Sequence, residues 1–191
     1  YVFENPSIIT GLSFIPELRE TIAGHISKTR YVDVDPEEVV VTPGAKPIIF
    51  FSMLACVEVG DEVMYPNPGF PIYESMINFV GAKPAPMPLK EENGFALDTE
   101  DTVEKISDKT KMIILNFPEN PTGGVLTEEN LTSIADKVRD RDNLLVVSDE
   151  VYSRMIYEGK HRSIASLPGM KERTVIIDGF SKTYAMTGWR L

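Results

Sequence analysis

The chain has 191 residues, 42% of them hydrophobic, with 29 acidic against 19 basic side chains and a formal net charge of -10. That is apolar matter enough for one sizeable core, while the acidic balance argues against nucleic acid or an anionic membrane surface as a partner. A lone cysteine, Cys56, excludes an internal disulfide framework, and two histidines far apart in sequence, His25 and His161, leave no zinc-type cluster, so no metal site is expected.

A reducing, cytoplasmic setting fits the single cysteine. The longest apolar run, residues 48–57, is interrupted by Ser52 and is well short of the roughly 20 residues a membrane span needs. No signal peptide is visible at the start.

In chain order, residues 16–26 have helix length, and the valine run 39–41 reads as a first buried strand. Residues 45–57 follow as a helix that is apolar nearly all round, expected in the middle of the fold with Cys56 as a small core residue. A strand over 62–65 leads to a helix over 73–80. The stretch 81–98, containing KPAPMPLKEENG, reads as an edge strand and turn rather than a domain boundary. Strands over 112–115 and 144–147 bracket a helix over 127–139. Thr127 caps that helix with Asn130 at its third position, and Leu131, Ile134, Ala135 and Val138 form its apolar face. A helix over 151–157 and a strand over 175–177 complete the pattern. Alternation of strand and helix without repeats or linkers predicts an α/β fold, a mostly parallel sheet flanked by helices on both faces.

Ligands of open α/β sheets bind beyond the carboxyl ends of the strands, and there the unusual residues fall. After 39–42 comes Pro43-Gly44-Ala45-Lys46, either a tight strand-to-helix turn or a helix N-terminus whose N–H groups meet a phosphate. After 112–115 comes NFPENPTGG, a turn by composition, from which Asn120 either shapes the turn or aims its amide into the rim. After 144–147 comes Asp149, at the mouth of the core. It is either a helix N-cap or a partly desolvated carboxylate in need of a cationic partner. Phe70, pinned between prolines, is either a core aromatic or a ring that stacks on a flat ligand. After 175–177 comes DGFSK, where Lys182 is either a solvated charge or a nucleophile.

Other catalytic types lack their anchors. GFSKT approaches the hydrolase elbow G-x-S-x-G, but Thr183 replaces the second glycine and no histidine follows Ser181. There is no G-x-G-x-x-G, no P-loop and no H-E-x-x-H.

Taken together, FIPELRETIA, VVVTPGAK, YPNPGFPIY, NFPENPTGGVLT, VVSDEVYSRMIY and GFSKTYAMTGWR resemble, in order and over essentially the whole chain, the class I and II aminotransferases. These are fold type I enzymes that use pyridoxal 5'-phosphate. The resemblance implies that Lys182 forms the Schiff base with the cofactor aldehyde, that Asp149 pairs with the pyridine nitrogen, and that Tyr152 and Asn120 hydrogen-bond the phenolic oxygen. It further implies that Phe70 stacks on the ring and that Gly44, Ala45, Lys46 and Arg190 belong to the phosphate cup. The implied reaction is a ping-pong exchange of an amino group between an amino acid and a 2-oxo acid, in a homodimer. A β C–S lyase and a non-catalytic cofactor-sensing domain of a regulator are the neighbouring readings, and no helix-turn-helix accompanies the chain to mark the latter.

The sequence departs from the family pattern in places. Gly179 stands where a phosphate-binding serine is common, with Ser181 as the substitute, and no tyrosine lies between Val2 and Arg30, although the family often has one ahead of the PELRE helix. Family chains are longer, so residues 1–191 are expected to be a partial large cofactor-binding domain, with an N-terminal segment and the small C-terminal domain missing. The family strand after GWRL lies between the strands matching 39–42 and 175–178. Without it, residues 39–42 should stand apart from the sheet and the segment alone should be unstable and inactive.

Overall fold

Runs of Val, Ile, Leu and Met form the buried strands of the computed structural model, which describes residues 15–190. The stretch ahead of PELRE, where the family tyrosine is wanting, lies largely outside the described residues. The sheet holds β1 (Glu62–Asn67), β2 (Lys83–Pro88), β3 (Thr110–Asn116), β4 (Leu145–Asp149) and β5 (Thr174–Ile177) in the order β2-β1-β3-β4-β5, and every pairing is parallel. β2, with Pro84, Pro86 and Pro88 within it, sits at an edge, where missing backbone donors do least harm.

Strand side chains alternate between two cores. Ile113, Leu115 and Val146 pack with Leu131, Ile134, Ala135 and Val138 of the helix Glu128–Arg139, while Met112, Ile114 and Val147 pack with Ile49, Met53, Tyr73 and Ile77 on the opposite face. The helices are α1 (Pro16–Arg30), α2 (Lys46–Cys56), α3 (Ile72–Phe79), α4 (Thr99–Lys105), α5 (Glu128–Arg139) and a short α6 (Phe180–Thr183). α5 opens with the expected reciprocal cap: Thr127 Oγ1 accepts from the Asn130 N–H at 3.1 Å, and Asn130 Oδ1 accepts from the Thr127 N–H at 2.9 Å. Its apolar face is the predicted one, all four residues buried.

The structure corrects three expectations. Residues 39–42 form no strand, although their standing apart from the sheet is what the resemblance implied: Val39 is extended (φ -96°, ψ 124°), yet the five-strand order has no place for this segment, and Val40 is 58% exposed. Valine content favours a pleated surface only where a neighbour completes the ladder. Residues 151–157 form turns, not a helix, with three-residue hydrogen bonds from Ser153 N–H to Glu150 O (2.9 Å) and from Met155 N–H to Tyr152 O (2.7 Å). Glu150 and Ser153 are directed into a buried polar cluster, and that anchoring overrides helical continuation. Finally, α2 is not enclosed. Ile49 and Met53 face the core four residues apart, but Phe51 and Leu54 are more than half exposed, and Cys56 is only half-buried at the core's margin. α4 is an element the sequence reading left out; Asp98 caps it by accepting from the Asp101 N–H at 3.0 Å.

Candidate active site

A cavity of about 350 Å³ opens at the carboxyl ends of the central strands. Every candidate residue lines it: Gly44, Ala45 and Lys46 from the approach to α2, Phe70 ahead of α3, Asn120 after β3, Asp149 and Tyr152 after β4, and Ser181, Lys182 and Arg190 beyond β5. Residues scattered over nearly 150 positions of sequence thus share one wall system, because parallel strands deliver their following loops to the same side.

Asp149 ends β4 and is 4% exposed. Its Oδ2 accepts a hydrogen bond from the Tyr73 hydroxyl at 2.6 Å, and its Oδ1 a long one from the Val151 N–H at 3.4 Å. Burial pushes its carboxyl up to about 6; the Tyr73 and Val151 hydrogen bonds hold it down, and the nearby Glu150 and Asp178 carboxylates add to the rise. The expected cationic partner is not supplied by the chain: among the described residues no ion pair reaches Asp149, and its strong contact is a neutral phenol. No helix follows, so it is no helix N-cap either. Burial and the adjoining Asp149 likewise drive the Tyr73 hydroxyl far above its ordinary range, so it stays a proton donor.

Tyr73 is the functional residue that sequence reading missed. The available signal was a phenol on the otherwise apolar inner face of α3, since a buried Tyr hydroxyl needs a partner. Phe70 is half-buried, its ring edge-on to Tyr73 (centroids 5.8 Å, 85°), with the Lys46 ammonium 5.4 Å from its centre. It packs against the margin of the core and borders the cavity.

The turn reading of Asn120 holds, and the residue lies at the rim. Its backbone N–H donates to Asn116 Oδ1 at 3.1 Å, and the turn closes through Gly123 N–H to Glu119 O and Glu119 N–H to Gly124 O, each 2.9 Å, while the residue still lines the cavity.

At the start of α2 the N–H groups of Ala45 and Lys46 have no intrahelical acceptor, and Pro47 offers none of its own. Arg190 reaches across to this turn, Nη2 donating to Pro43 O (3.2 Å) and Nη1 to Thr187 O (2.9 Å). Gly44 adopts φ +86°, and a Cβ built on it would lie 2.5 Å from Arg190 Nη2. Only glycine permits both this backbone and this approach. The N–H groups and the guanidinium together form a local positive cradle in an acidic protein. Lys182, exposed in the short α6, holds its ammonium 5.9 Å from the centre of the Tyr152 ring. The site therefore offers a buried carboxylate, an anion cradle, an aromatic wall and a primary amine.

A family model described as aminotransferase class I and II matches residues 6–191. An aspartate aminotransferase of Pyrococcus abyssi is 45% identical over 179 residues, covering 93% of this chain and 46% of the relative. Aromatic-amino-acid aminotransferase 2 of Thermococcus litoralis is 42% identical, over 93% of this chain and 46% of its own length. Among solved structures, the aromatic aminotransferase of Pyrococcus horikoshii superimposes with a TM-score of 0.87 at 44% identity, over 92% of this chain and 48% of that one. The chain thus spans about half the length of the curated relatives it matches.

Proposed function

The chain belongs to the class I and II aminotransferases, and we propose from that premise that residues 1–191 are the large, cofactor-binding domain of a pyridoxal-phosphate-dependent amino-acid aminotransferase. The observation that carries the reading is the buried, uncompensated carboxylate of Asp149 in the same cavity as the Arg190–Ala45–Lys46 cradle. A ligand with a protonated ring nitrogen and a phosphate answers both. The charge that Asp149 lacks is then supplied by the ligand, which is the state burial favours. The gap left by Gly44 keeps Arg190 close to the helix end where a phosphate would sit.

When bound, the cofactor supplies the electron sink that makes a substrate α C–H acidic. Asp149 keeps a proton at the ring nitrogen, with Tyr73 fixing the carboxylate from behind. Phe70 covers one face of a flat ring and excludes water from it. Asn120 and Tyr152 offer donors to an oxygen substituent of the ring, and Ser181 with Arg190, Ala45 and Lys46 grips the phosphate. Lys182 moves a proton at the substrate α carbon, and its flexible stem lets one amine serve both as anchor and as acid-base. The substrates are an amino acid and a 2-oxo acid, bound locally, so the net charge of -10 is no obstacle. The exposed apolar side chains Phe51 and Leu54 of α2 and Phe79 of α3, the last packed against Phe50 with ring centroids 5.7 Å apart, support a homodimer, since a lone surface rarely leaves such a patch uncovered. The single cysteine fits the cytoplasm.

Two measurements on the intact protein test this reading. Addition of amino acids to the cofactor-loaded protein should bleach the cofactor band with stoichiometric release of a 2-oxo acid, and a second 2-oxo acid should restore it. Release of thiol and ammonia would indicate a C–S lyase instead, and an unchanged band a non-catalytic binder. Arg190→Ala or Gly44→Ala should weaken cofactor retention in equilibrium dialysis by roughly ten- to a hundredfold, the scale of about 1.5–3 kcal/mol for a charge-assisted hydrogen bond. Retention equal to the parent in both variants would remove the cradle from the phosphate site.

A further inference from the structure

Behind the cavity lies a buried charge cluster that none of these roles uses. Arg30, the last residue of α1, is 3% exposed, and its guanidinium donates from Nε to Glu150 Oε2 (2.6 Å) and from Nη2 to both Asp178 Oδ2 (2.6 Å) and Ser153 Oγ (2.7 Å). Glu150 is fully buried and also accepts from Ser148 and Ser163 while sharing a hydrogen bond with His161 Nε2. Asp178 accepts from the Gly179 N–H at 2.7 Å.

The placement of these carboxylates matters more than their number. Glu150 directly follows Asp149, and its N–H donates to Ile177 O at 2.8 Å; Asp178 opens the segment that carries Lys182. One guanidinium therefore bridges the two backbone segments that present the site's carboxylate and its amine. Stability alone is a weak explanation, because apolar replacements of buried ion clusters are often equally stable. Geometry is a better one: the planar fork serves several acceptors at fixed angles, which a lysine ammonium cannot reproduce. We propose that Arg30 is a positioning residue that fixes the separation of Asp149 from Lys182 by clamping Glu150 to Asp178.

This inference rests on the aminotransferase reading only for its catalytic consequence, and the test separates the two. The intact protein is compared with Arg30→Lys and with Asp178→Asn, which loosens the clamp from its other end. In the loaded enzymes kcat should fall roughly ten- to a hundredfold, as expected of a displacement near 1 Å, while KM for the amino acid stays within about a factor of three. In the cofactor-free Arg30→Lys protein, whose net charge is the parent's, carboxyl NMR should show the Asp149 titration, about 6 in the parent, dropping towards the ordinary carboxylate range as its pocket loosens; Asp178→Asn is read by kcat and KM, because losing the Asp178 carboxylate lowers that titration by itself. If Arg30→Lys does not fold, Asp178→Asn carries the comparison. Folded variants with the parent's kcat and the parent's Asp149 titration overturn the inference. A parent that fails to transaminate, with an Arg30→Lys variant in which the Asp149 titration still moves, sinks the reaction and leaves the clamp standing.

Discussion

Replacing Lys182 by alanine should lower turnover of the intact, cofactor-loaded protein by at least about four orders of magnitude. A positioned acid-base contributes roughly 10²–10⁴ by itself, and an amine that also anchors the cofactor adds its nucleophilic share. Structural damage should be slight: Lys182 is exposed, sits in the four-residue α6 and makes no described ion pair, its ammonium lying 5.9 Å from the centre of the Tyr152 ring. Borohydride treatment followed by peptide mass mapping should place the pyridoxyl group on Lys182 in the parent and nowhere in the variant. A label on Lys46, the other amine lining the cavity, would overturn the assignment. Lys182→Arg should fail as completely, because a guanidinium that never gives up its proton at working pH cannot act as nucleophile or base.

How the site became legible follows from where its information sits. Asp149, Asn120, Ser181 and Lys182 each lie within a few residues of an apolar run's end, so local punctuation by Gly, Pro and Asp marks them, and the parallel topology gathers them. Asn130 under Thr127 is equally local, and that cap formed as expected. What escaped was non-local. The Tyr73 hydroxyl meets Asp149 across 76 residues, and Arg30 meets Glu150 across 120 and Asp178 across 148. No periodicity encodes such pairings. The same pairings explain two misread elements. The polar inward pull on Glu150 and Ser153 replaced a helix over 151–157 with turns, and packing of α2 along the Ile49–Met53 stripe alone left Phe51 and Leu54 outside. Composition told that α2 was apolar, but not how much of its circumference had a neighbour.

Asp149→Asn should produce two opposite effects, and their coexistence is the stronger test. In the cofactor-free protein the carboxyl titrates at about 6 against an ordinary 3.8. A folded-state value raised above the unfolded one contributes stability that is complete below pH 4 and is lost as pH rises through 6. Above pH 6 the ionised Asp149 therefore costs the fold about 3 kcal/mol. Asparagine does not titrate, and its carbonyl can still accept from the Tyr73 hydroxyl. The variant should match the parent in chemical denaturation near pH 4, gain across pH 4–6, and stay more stable by up to that amount at pH 7–8. In the loaded enzyme the same change should slow α-proton removal by about a hundredfold or more, since a neutral amide holds no proton at the ring nitrogen. Cofactor retention should fall far less than in Arg190→Ala, because the phosphate cradle is untouched. A stability difference independent of pH would mean that Asp149 carries no strain, and equal cofactor loss in both variants would mean that ring and phosphate are not held separately. If both effects appear, the fold tolerates a buried charge in the empty site for the sake of the cation it meets in the filled one. Removing the charge then improves the protein as a folded object and spoils it as a catalyst.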